Sequence, residues 1–471
     1  MGVYVGLDLG GAGAMVAGAP SSNRRARRDR RERHWMCAVA SAVSVSACSA
    51  LSAVPFTLWA AAEPLAAPLP PSPTASAGAV DWNQWRGPDR SGITPEIGWT
   101  FAWPPAGPPV AWKVKLRPGY SSVAVSRGRV YTMGWDRGRD TVYCLDAATG
   151  NTLWEHTYAC GGSPYPEART TPSVDGNAVY TVGKLGVVCC LDAATGNVNW
   201  SRNVQEELQA PFGRWRLTAS PLIEGDLLLV AAGKGLVAME KSSGAVRWHI
   251  ESEQHSFSPA LAFTTARGER RVAVVAGTEV ILARLPGGAV LWRHPWRPEY
   301  PTTIADPVVS GDRMFISTNY LKGALLDVGG QAPRVLWQNK DLLSHVATAI
   351  LWKGCLWGFH GDVRTSATCM VCMDFDTGAV RWKQPMKGSG IMAGGKLLLT
   401  TFDGDLVVAE ADPGGYKELA RAKVLEEPCW TVPVLSGGRI YCRGKAGTLV
   451  CLDVRPSASP RPAAEGSPRG R

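Results

Sequence analysis

The sequence has little of what marks a membrane, helical or nucleic-acid-binding protein. Its one extended apolar stretch, residues 36–62, is rich in Ala and Ser, so we do not expect it to span a membrane. Much of the net charge of +10 lies near the ends: residues 1–62 hold seven Arg against three acidic residues, and residues 455–471 hold four Arg against one Glu. The charge left between them, about +3, is too small to indicate nucleic-acid binding.

A ten-residue pattern recurs along the chain. Leu145–Trp154 returns almost verbatim as Leu191–Trp200, with weaker copies at 241–248 and 375–382. Each copy predicts a strand end, a tight turn and a second strand: Gly permits positive φ, Asp and Thr side chains bond to turn amides, and Trp fills the gap to the next sheet. We expect these structural roles at Asp146, Gly150, Trp154, Asp192, Gly196, Trp200, Gly244, Trp248, Asp376, Gly378, Trp382 and Trp112.

The spacing of these tryptophans indicates the architecture. The repeat positions fall at intervals of 42 to 48 residues, and an eighth copy at 413–419 has Leu419 in the Trp position. About four short strands and their turns fit in such a period, which is the size of one propeller blade. The repeat positions are Trp112, Trp154, Trp200, Trp248, Trp292, Trp337 and Trp382.

The two ends of the repeat region predict how the ring closes. Three strand patterns at 431–435, 439–442 and 448–453 have no Trp strand after them, whereas Val110–Leu116 is a Trp strand with no blade before it. Together they complete one blade and remove the open edge of the ring. The sequence therefore predicts an all-β, eight-bladed propeller of four-stranded antiparallel blades over residues 110–454.

The remaining segments predict an exported protein. Residues 1–62 read as a signal or targeting region, because an Arg run precedes an apolar stretch that ends in Ala60–Ala62. Cleavage at Ala62 and lipidation at Cys48 are the two alternatives. Residues 63–109 form a linker with an aromatic lead-in, and residues 455–471 read as a disordered tail. We expect the protein in the periplasm, in the cell envelope or outside the cell.

A binding site is predicted at the mouth of the central channel, where each inner strand begins. Five of the eight leading residues are basic or His, which suits an anionic or peptide ligand; alternatively, these polar side chains only solvate a water-filled channel. Arg214 and Trp215 add a longer loop with an aromatic face. The leading residues are Tyr120, Arg169, Arg216, His255, Thr303, His345, Lys387 and Trp430.

Two cysteine pairs invite a functional interpretation that their positions do not favour. Cys189 and Cys190 lie in a predicted strand, where Cys packs as a small apolar residue. Cys369 and Cys372 have the spacing of a metal knuckle, but a strand would point them to opposite sides, and the sequence offers no second pair or adjacent His. We therefore predict structural roles for all four.

The Leu-Asp-Ala-Ala-Thr-Gly-x-x-x-Trp repeats resemble those of the pyrroloquinoline-quinone (PQQ)-like β-propeller superfamily over residues 110–454. Residues 82–92 resemble the opening of secreted members common in planctomycete-type bacteria. The resemblance implies eight blades and two different functions. Some members are dehydrogenases that bind PQQ and calcium on the axis, and others are non-catalytic, such as the lipoprotein of the outer-membrane β-barrel assembly machine. The fold alone does not choose between them.

A PQQ site needs a carboxylate base and about six to eight oxygen ligands for calcium. Asp306 is the axial candidate, Asp140 and Asp362 are expected in loops, and the sequence shows no acidic cluster around them. We therefore predict a non-catalytic binding scaffold with no metal site, for a protein partner or a small anionic ligand.

Two alternative functions remain. The first is a PQQ- and calcium-dependent alcohol or polyol dehydrogenase. The second is a polysaccharide-binding module, which would use tryptophans outside the repeat, namely Trp82, Trp85, Trp135 and Trp352.

Overall fold

The computed structural model describes residues 80–162 and 167–456, and these residues form a β-propeller. Within them, no helix is long and apolar enough to cross a membrane. The predicted signal region, with Cys48 and Ala62, lies outside the described residues, as does the predicted tail beyond residue 456.

The strands follow one another in blade order. Two strands precede the first complete blade: β1 (Ile93–Thr94) and β2 (Val110–Lys115). The first blade contains β3 (Ala124–Ser126), β4 (Arg129–Asp136), β5 (Arg139–Asp146) and β6 (Thr152–Ala159), and the second contains β7 (Ser173–Asp175), β8 (Ala178–Val182), β9 (Val187–Asp192) and β10 (Val198–Asn203). The third contains β11 (Leu222–Glu224), β12 (Leu227–Val230), β13 (Gly235–Glu240) and β14 (Val246–Glu251). The fourth contains β15 (Leu261–Thr264), β16 (Arg270–Val275), β17 (Glu279–Arg284) and β18 (Val290–Pro295). A four-residue helix, α1 (Val204–Glu207), follows β10.

The second half repeats this arrangement. The fifth blade contains β19 (Val308–Ser310), β20 (Arg313–Ser317), β21 (Gly323–Asp327) and β22 (Arg334–Asn339), and the sixth contains β23 (Ile350–Trp352), β24 (Cys355–His360), β25 (Cys369–Asp374) and β26 (Val380–Pro385). The seventh contains β27 (Gly388–Ala393), β28 (Lys396–Thr401), β29 (Asp405–Glu410) and β30 (Glu418–Lys423). The eighth contains β31 (Val434–Ser436), β32 (Arg439–Arg443) and β33 (Thr448–Asp453).

The predicted ring closure is confirmed. Strand β2 pairs antiparallel with β33, with Trp112 opposite Cys451, and completes a sheet of order β2-β33-β32-β31. The eighth blade thus takes its outer strand from before the first blade. This pairing satisfies the edge of β33 that would otherwise be open.

The seventh blade has a feature that the repeat did not predict. Strand β1 pairs in parallel with β27, the innermost strand of that blade, and places Ile93 opposite Met392. The sheet therefore has five strands, in the order β1-β27-β28-β29-β30. The lead-in consequently reaches the inner side of the ring before the chain enters the eighth blade.

In the first blade, an Asp side chain closes the repeated turn. The carboxylate of Asp146 accepts hydrogen bonds from the Ala148 and Thr149 amides and from the Thr149 hydroxyl. Gly150 has φ +74°, and a Cβ there would lie 2.6 Å from the Trp112 ring. The Trp112 indole nitrogen donates to the Ala147 carbonyl at 3.1 Å. The same stacking joins Gly196 to Trp154, Gly244 to Trp200, Gly288 to Trp248 and Gly378 to Trp337, so these five tryptophans dock on the turn of the following blade.

Two positions of the predicted repeat are wrong. Asp374, and not Asp376, closes the turn of the sixth blade by accepting from the Thr377 amide and hydroxyl, because it lies four residues before the turn glycine. Asp376 instead pairs with Arg313 of the preceding blade. In the seventh blade the turn is two residues longer, since Glu410 bonds to Lys417 where Asp374 of the sixth bonds to Ala379. Ala420 therefore occupies the position that Trp382 holds in the sixth.

The apolar core lies between neighbouring sheets. Tyr131 of β4 and Leu191 of β9 pack in one cluster with Trp154, between the first and second blades. Cys189 belongs to this cluster, whereas Cys190 faces the next interface, beside Val230. Cys369 and Cys372 are divided in the same way between two clusters. Residues an odd number of positions apart in a strand point to opposite faces, so the two cysteines of each pair do not meet.

Candidate functional site

The predicted mouth residues all lie on connections that lead into an innermost strand. Tyr120 precedes β3, for example, and Trp430 precedes β31. Because the inner strands of a propeller run in one direction, these connections open on one face, which we call the mouth face. The hairpin turns between the second and third strands of each blade open on the same face.

Aromatic side chains join the first and eighth blades at the mouth face. The ring of Trp430 meets Tyr120 edge-on at 5.8 Å and Phe402 at 5.3 Å between centroids. The ammonium group of Lys445 lies 5.4 Å from the Tyr120 ring and 3.6 Å from Glu167. The hydrogen bond that Lys445 donates to Tyr120 raises the pKa of Lys445, so the lysine stays charged at neutral pH. This cluster presents an aromatic surface beside a cation.

The loop before the third blade forms a second cluster of arginines and aromatic rings. The guanidinium of Arg214 lies 5.4 Å from the Trp215 ring, and that of Arg216 lies 4.7 Å from the Phe212 ring. Arg169 donates to the Trp215 carbonyl. The loop is held from behind, since the Gln205 amide donates to the carbonyls of residues 210 and 211 at 3.2 and 2.7 Å.

Two further predicted residues, His255 and His345, contact other side chains on this face. His255 is half-buried, and a Cβ on Gly213 would lie 2.8 Å from its ring. His345 contacts Tyr320, with 3.5 Å between the hydroxyl and Nε2, and its Nδ1 lies 3.5 Å from Asp362. Burial lowers the pKa of His345, although the Asp362 carboxylate opposes this change. The imidazole is therefore neutral near pH 7.

Asp362, which lies beside His345, also binds a neighbouring arginine. Its carboxylate accepts a forked hydrogen bond from Arg364, which lowers its pKa to about 2. Thr303 and Lys387 also lie on the mouth face, but no described hydrogen bond or ring contact joins their side chains to the other mouth residues. The Thr303 hydroxyl is buried and has no hydrogen-bond partner among the described residues.

Asp306 lies at the axis, just before β19, and side chains of the lead-in contact its carboxylate. The Trp85 indole nitrogen donates to its Oδ2 at 2.8 Å, and the Arg86 guanidinium lies 3.9 Å from the same oxygen. Both charged residues are buried, with 5% and 2% of their surface exposed. Burial raises the pKa of Asp306, and Arg86 opposes this rise. The segment that supplies these groups, Val80–Thr94, is called the hub segment below.

A buried polar cluster between the first and second blades was missed by sequence reasoning. Asp140 lies in β5, and not in a loop as predicted, and its side chain is fully buried. The buried Tyr158 hydroxyl and Lys184 are its neighbours, and the Lys184 ammonium lies 4.4 Å from the Trp135 ring. Burial raises the pKa of Asp140 and lowers that of Lys184. Only three-dimensional packing brings these positions together.

A sequence profile of the family described as "Outer membrane protein assembly factor BamB" matches residues 98–339, which is about half of the chain. The chain belongs to this PQQ-like β-propeller family. No curated protein matches its sequence.

Solved structures resemble this propeller in fold. BamB from Moraxella catarrhalis has a TM-score of 0.55 and 15% identity, over 73% of this chain and 99% of that one. The quinohemoprotein alcohol dehydrogenase from Comamonas testosteroni has a TM-score of 0.58 and 13% identity, over 81% of each chain. A europium-containing methanol dehydrogenase has a TM-score of 0.59 and 12% identity, over 79% of this chain and 89% of that one. At such identities the likeness shows the fold alone.

The residues of this PQQ-like propeller do not fit an axial quinone with calcium. Asp306 faces a tryptophan indole and an arginine, where a calcium ion would need further oxygen ligands. Within the described residues, no group of three His, Cys, Asp or Glu side chains could hold a metal ion. Cys189 and Cys190 point into different interfaces and are buried in apolar packing. The described part of the chain therefore does not assemble the groups that a quinone site requires.

Proposed function

We propose that this protein is a non-catalytic, exported scaffold that binds its partner on the mouth face. The observation that carries the proposal is the pairing of cations with aromatic rings there: Arg214 with Trp215, Arg216 with Phe212, and Lys445 with Tyr120. Such surfaces attract anionic groups and also offer apolar contact area. An acidic polypeptide segment combines both, and we propose it as the class of ligand.

Two further observations support a binding role over a catalytic one. The carboxylate that a quinone-dependent dehydrogenase would need, Asp306, is engaged by Trp85 and Arg86. The family description names an outer membrane protein assembly factor. The tryptophans of the polysaccharide hypothesis do not form an exposed platform: Trp82 is buried, and Trp135 is half-buried beside Lys184.

A titration with an octaglutamate peptide tests the proposal, with tryptophan fluorescence as the signal. We expect saturable quenching that weakens with salt and is lost in the Arg214→Ala/Arg216→Ala/Lys445→Ala variant. Arg247→Ala is the matched control, because Arg247 is exposed on β14, near the turn away from the mouth face. Equal binding by the triple variant and the control would contradict the proposal.

The dehydrogenase alternative has its own test. Purified protein is mixed with PQQ and calcium, and quinone absorbance and dye reduction in the presence of alcohols are followed. We expect neither a bound quinone nor dye reduction. For export, mass spectrometry of the mature N-terminus distinguishes cleavage at Ala62 from lipidation at Cys48.

A further inference from the structure

The hub segment makes hydrogen bonds to every blade of the propeller. Its first residues, Val80 to Asn83, follow the order of the last, first and second blades. Val80 accepts from Ser436 of the eighth blade, Trp82 pairs with Val125 of the first, and Asn83 pairs with Val174 of the second. The segment thus begins at the seam between the last and first blades and continues along the inner wall to the second.

Two arginines reach the blades that the backbone does not touch. Arg90 donates to the carbonyls of Pro221 and Ala260, which immediately precede the inner strands of the third and fourth blades. Arg86 donates to the carbonyls of Thr348 and Ala349 in the sixth blade, at 3.1 and 2.9 Å. Each guanidinium therefore spans two groups that belong to the wall of the ring.

The fifth and seventh blades complete the circuit. Trp85 and Arg86 meet Asp306 of the fifth blade, and β1 pairs with β27 of the seventh. Beyond the segment, the carboxylate of Glu96 accepts from the Gly437 and Gly438 amides and returns the chain to the eighth blade.

The segment is held in a compact shape by its own contacts. Arg86 and Arg90 have φ values of +61° and +53°, and Gly87 and Gly92 are also left-handed. Arg86 donates to the Arg90 and Ser91 carbonyls, and Arg90 donates to the Gln84 side chain. Left-handed non-glycine residues are costly and persist only where surrounding contacts impose them. The contacts to the ring are therefore needed to maintain this conformation.

Burial of the two cations explains why they are bound so fully. Arg86 and Arg90 are 2% and 4% exposed, and Asp306 is the acidic group that interacts with both. Burial lowers the pKa of Arg90 to about 10, which leaves it charged at neutral pH. A buried guanidinium is tolerated only when its N–H groups are bonded, and here they bond to carbonyls of the ring wall or of the segment itself.

We propose that the hub segment is an axial latch: it closes the propeller from the inside, as β2 closes it at the rim, and it fills the position in which a diffusible axial ligand would lie. The latch joins all eight blades through one stretch of fifteen residues. Its removal loosens the ring without removing any blade strand except β1. The proposal is independent of binding at the mouth face.

A cleavage experiment tests the latch in the full chain. A site-specific protease sequence is inserted between Pro105 and Ala106, which are exposed in a turn after the hub segment. After cleavage of the folded protein, we expect the N-terminal fragment to co-elute with the propeller in gel filtration and to separate only in denaturant. Separation under native conditions would overturn the proposal.

Variants assign the retention to the two arginines. In the cleaved Arg86→Ala/Arg90→Ala chain we expect release of the fragment, and in the uncleaved chain a melting temperature several degrees lower. Arg137→Ala is the matched control, since Arg137 is also left-handed at φ +46° but its side chain is 92% exposed. Retention by the double variant would overturn the role of the arginines; if that variant does not fold, the cleaved parent chain alone decides.

The same preparation tests axial occupancy. We expect PQQ with calcium to leave the melting temperature and tryptophan fluorescence of the parent chain unchanged. A ligand-dependent rise in melting temperature would show that the axis is accessible and would overturn the proposal.

Discussion

Trp112 and Cys451 lie opposite each other in antiparallel strands, although 339 positions of sequence numbering separate them. The pairing joins a strand that precedes the first blade to the last strand of the eighth. Trp112 is only 7% exposed, and its indole reaches forward to the Ala147 carbonyl of the first blade. One side chain therefore connects the eighth blade to the first.

Removal of this side chain should weaken the seam strongly. Trp112→Ala leaves a cavity beside Tyr441, whose ring lies 5.9 Å away, and we expect a loss of about 3–5 kcal/mol in the free energy of unfolding. Urea denaturation measures it. Val110→Ala, at an exposed position of the same strand, should change stability by less than about 0.5 kcal/mol. Equal effects at both positions would contradict the docking role of the tryptophan.

The repeat glycines should separate a backbone effect from a packing effect. Gly138 and Gly150 have φ values of +79° and +74°, but only at Gly150 would a Cβ meet an aromatic ring, at 2.6 Å. Gly138→Ala should cost about 1–2 kcal/mol for the left-handed backbone alone. Gly150→Ala should cost clearly more in the same denaturation assay. A smaller loss for Gly150→Ala would show that the Trp112 ring can move aside.

The buried carboxylate of Asp140 should make stability depend on pH. Burial raises its pKa in the folded state above the ordinary value of 3.8, so the folded protein holds this proton to higher pH than the unfolded chain does. Its contribution to stability is present at low pH and is lost as pH rises through the folded pKa.

Asp140→Asn should therefore be more stable than the parent near pH 7, and the difference should shrink toward pH 4. Unfolding by urea at the two pH values measures this. Asp226→Asn, at an exposed turn, is the control. A variant that is less stable than the parent at pH 7 would indicate that the attraction between Asp140 and Lys184 outweighs the cost of burial.

Cysteine modification should follow the packing. Of the ten described cysteines, Cys369 is half-buried and the other nine are buried. We expect iodoacetamide to label Cys369 first in the native protein, and slowly, because burial raises its pKa. Peptide mass spectrometry at successive times measures the order, and early labelling of Cys144 or Cys451 would contradict the packing.

The repeat made the blades and the seam predictable, because most copies carry their own turn glycine and docking tryptophan. The hub segment was not predictable in the same way. Arg86 binds carbonyls more than 260 positions away, and backbone carbonyls leave no residue-type pattern in the sequence. The lead-in was expected to pin the chain to the propeller, but its path around the axis follows only from the three-dimensional arrangement.

The errors within the repeat have local causes. Asp376 was chosen because it stands next to the Thr-Gly of its turn, whereas the hydrogen bonds select Asp374 by its distance from Gly378. Leu419 was aligned by its distance from the turn glycine, whereas a turn two residues longer places Ala420 in the tryptophan position. The mouth residues were found from their places before inner strands, but Lys445 and Phe402 were missed because they lie on other connections of the same face.

Hydrogen exchange of the intact protein tests the central claim most directly, because the claim is that segments before the first blade close the ring at both rim and axis. We predict that amides in peptides covering Val80–Thr94 and Val110–Lys115 exchange as slowly as those of β6, the outer strand of the first blade. Complete exchange of either peptide within seconds, while β6 stays protected, would contradict the account.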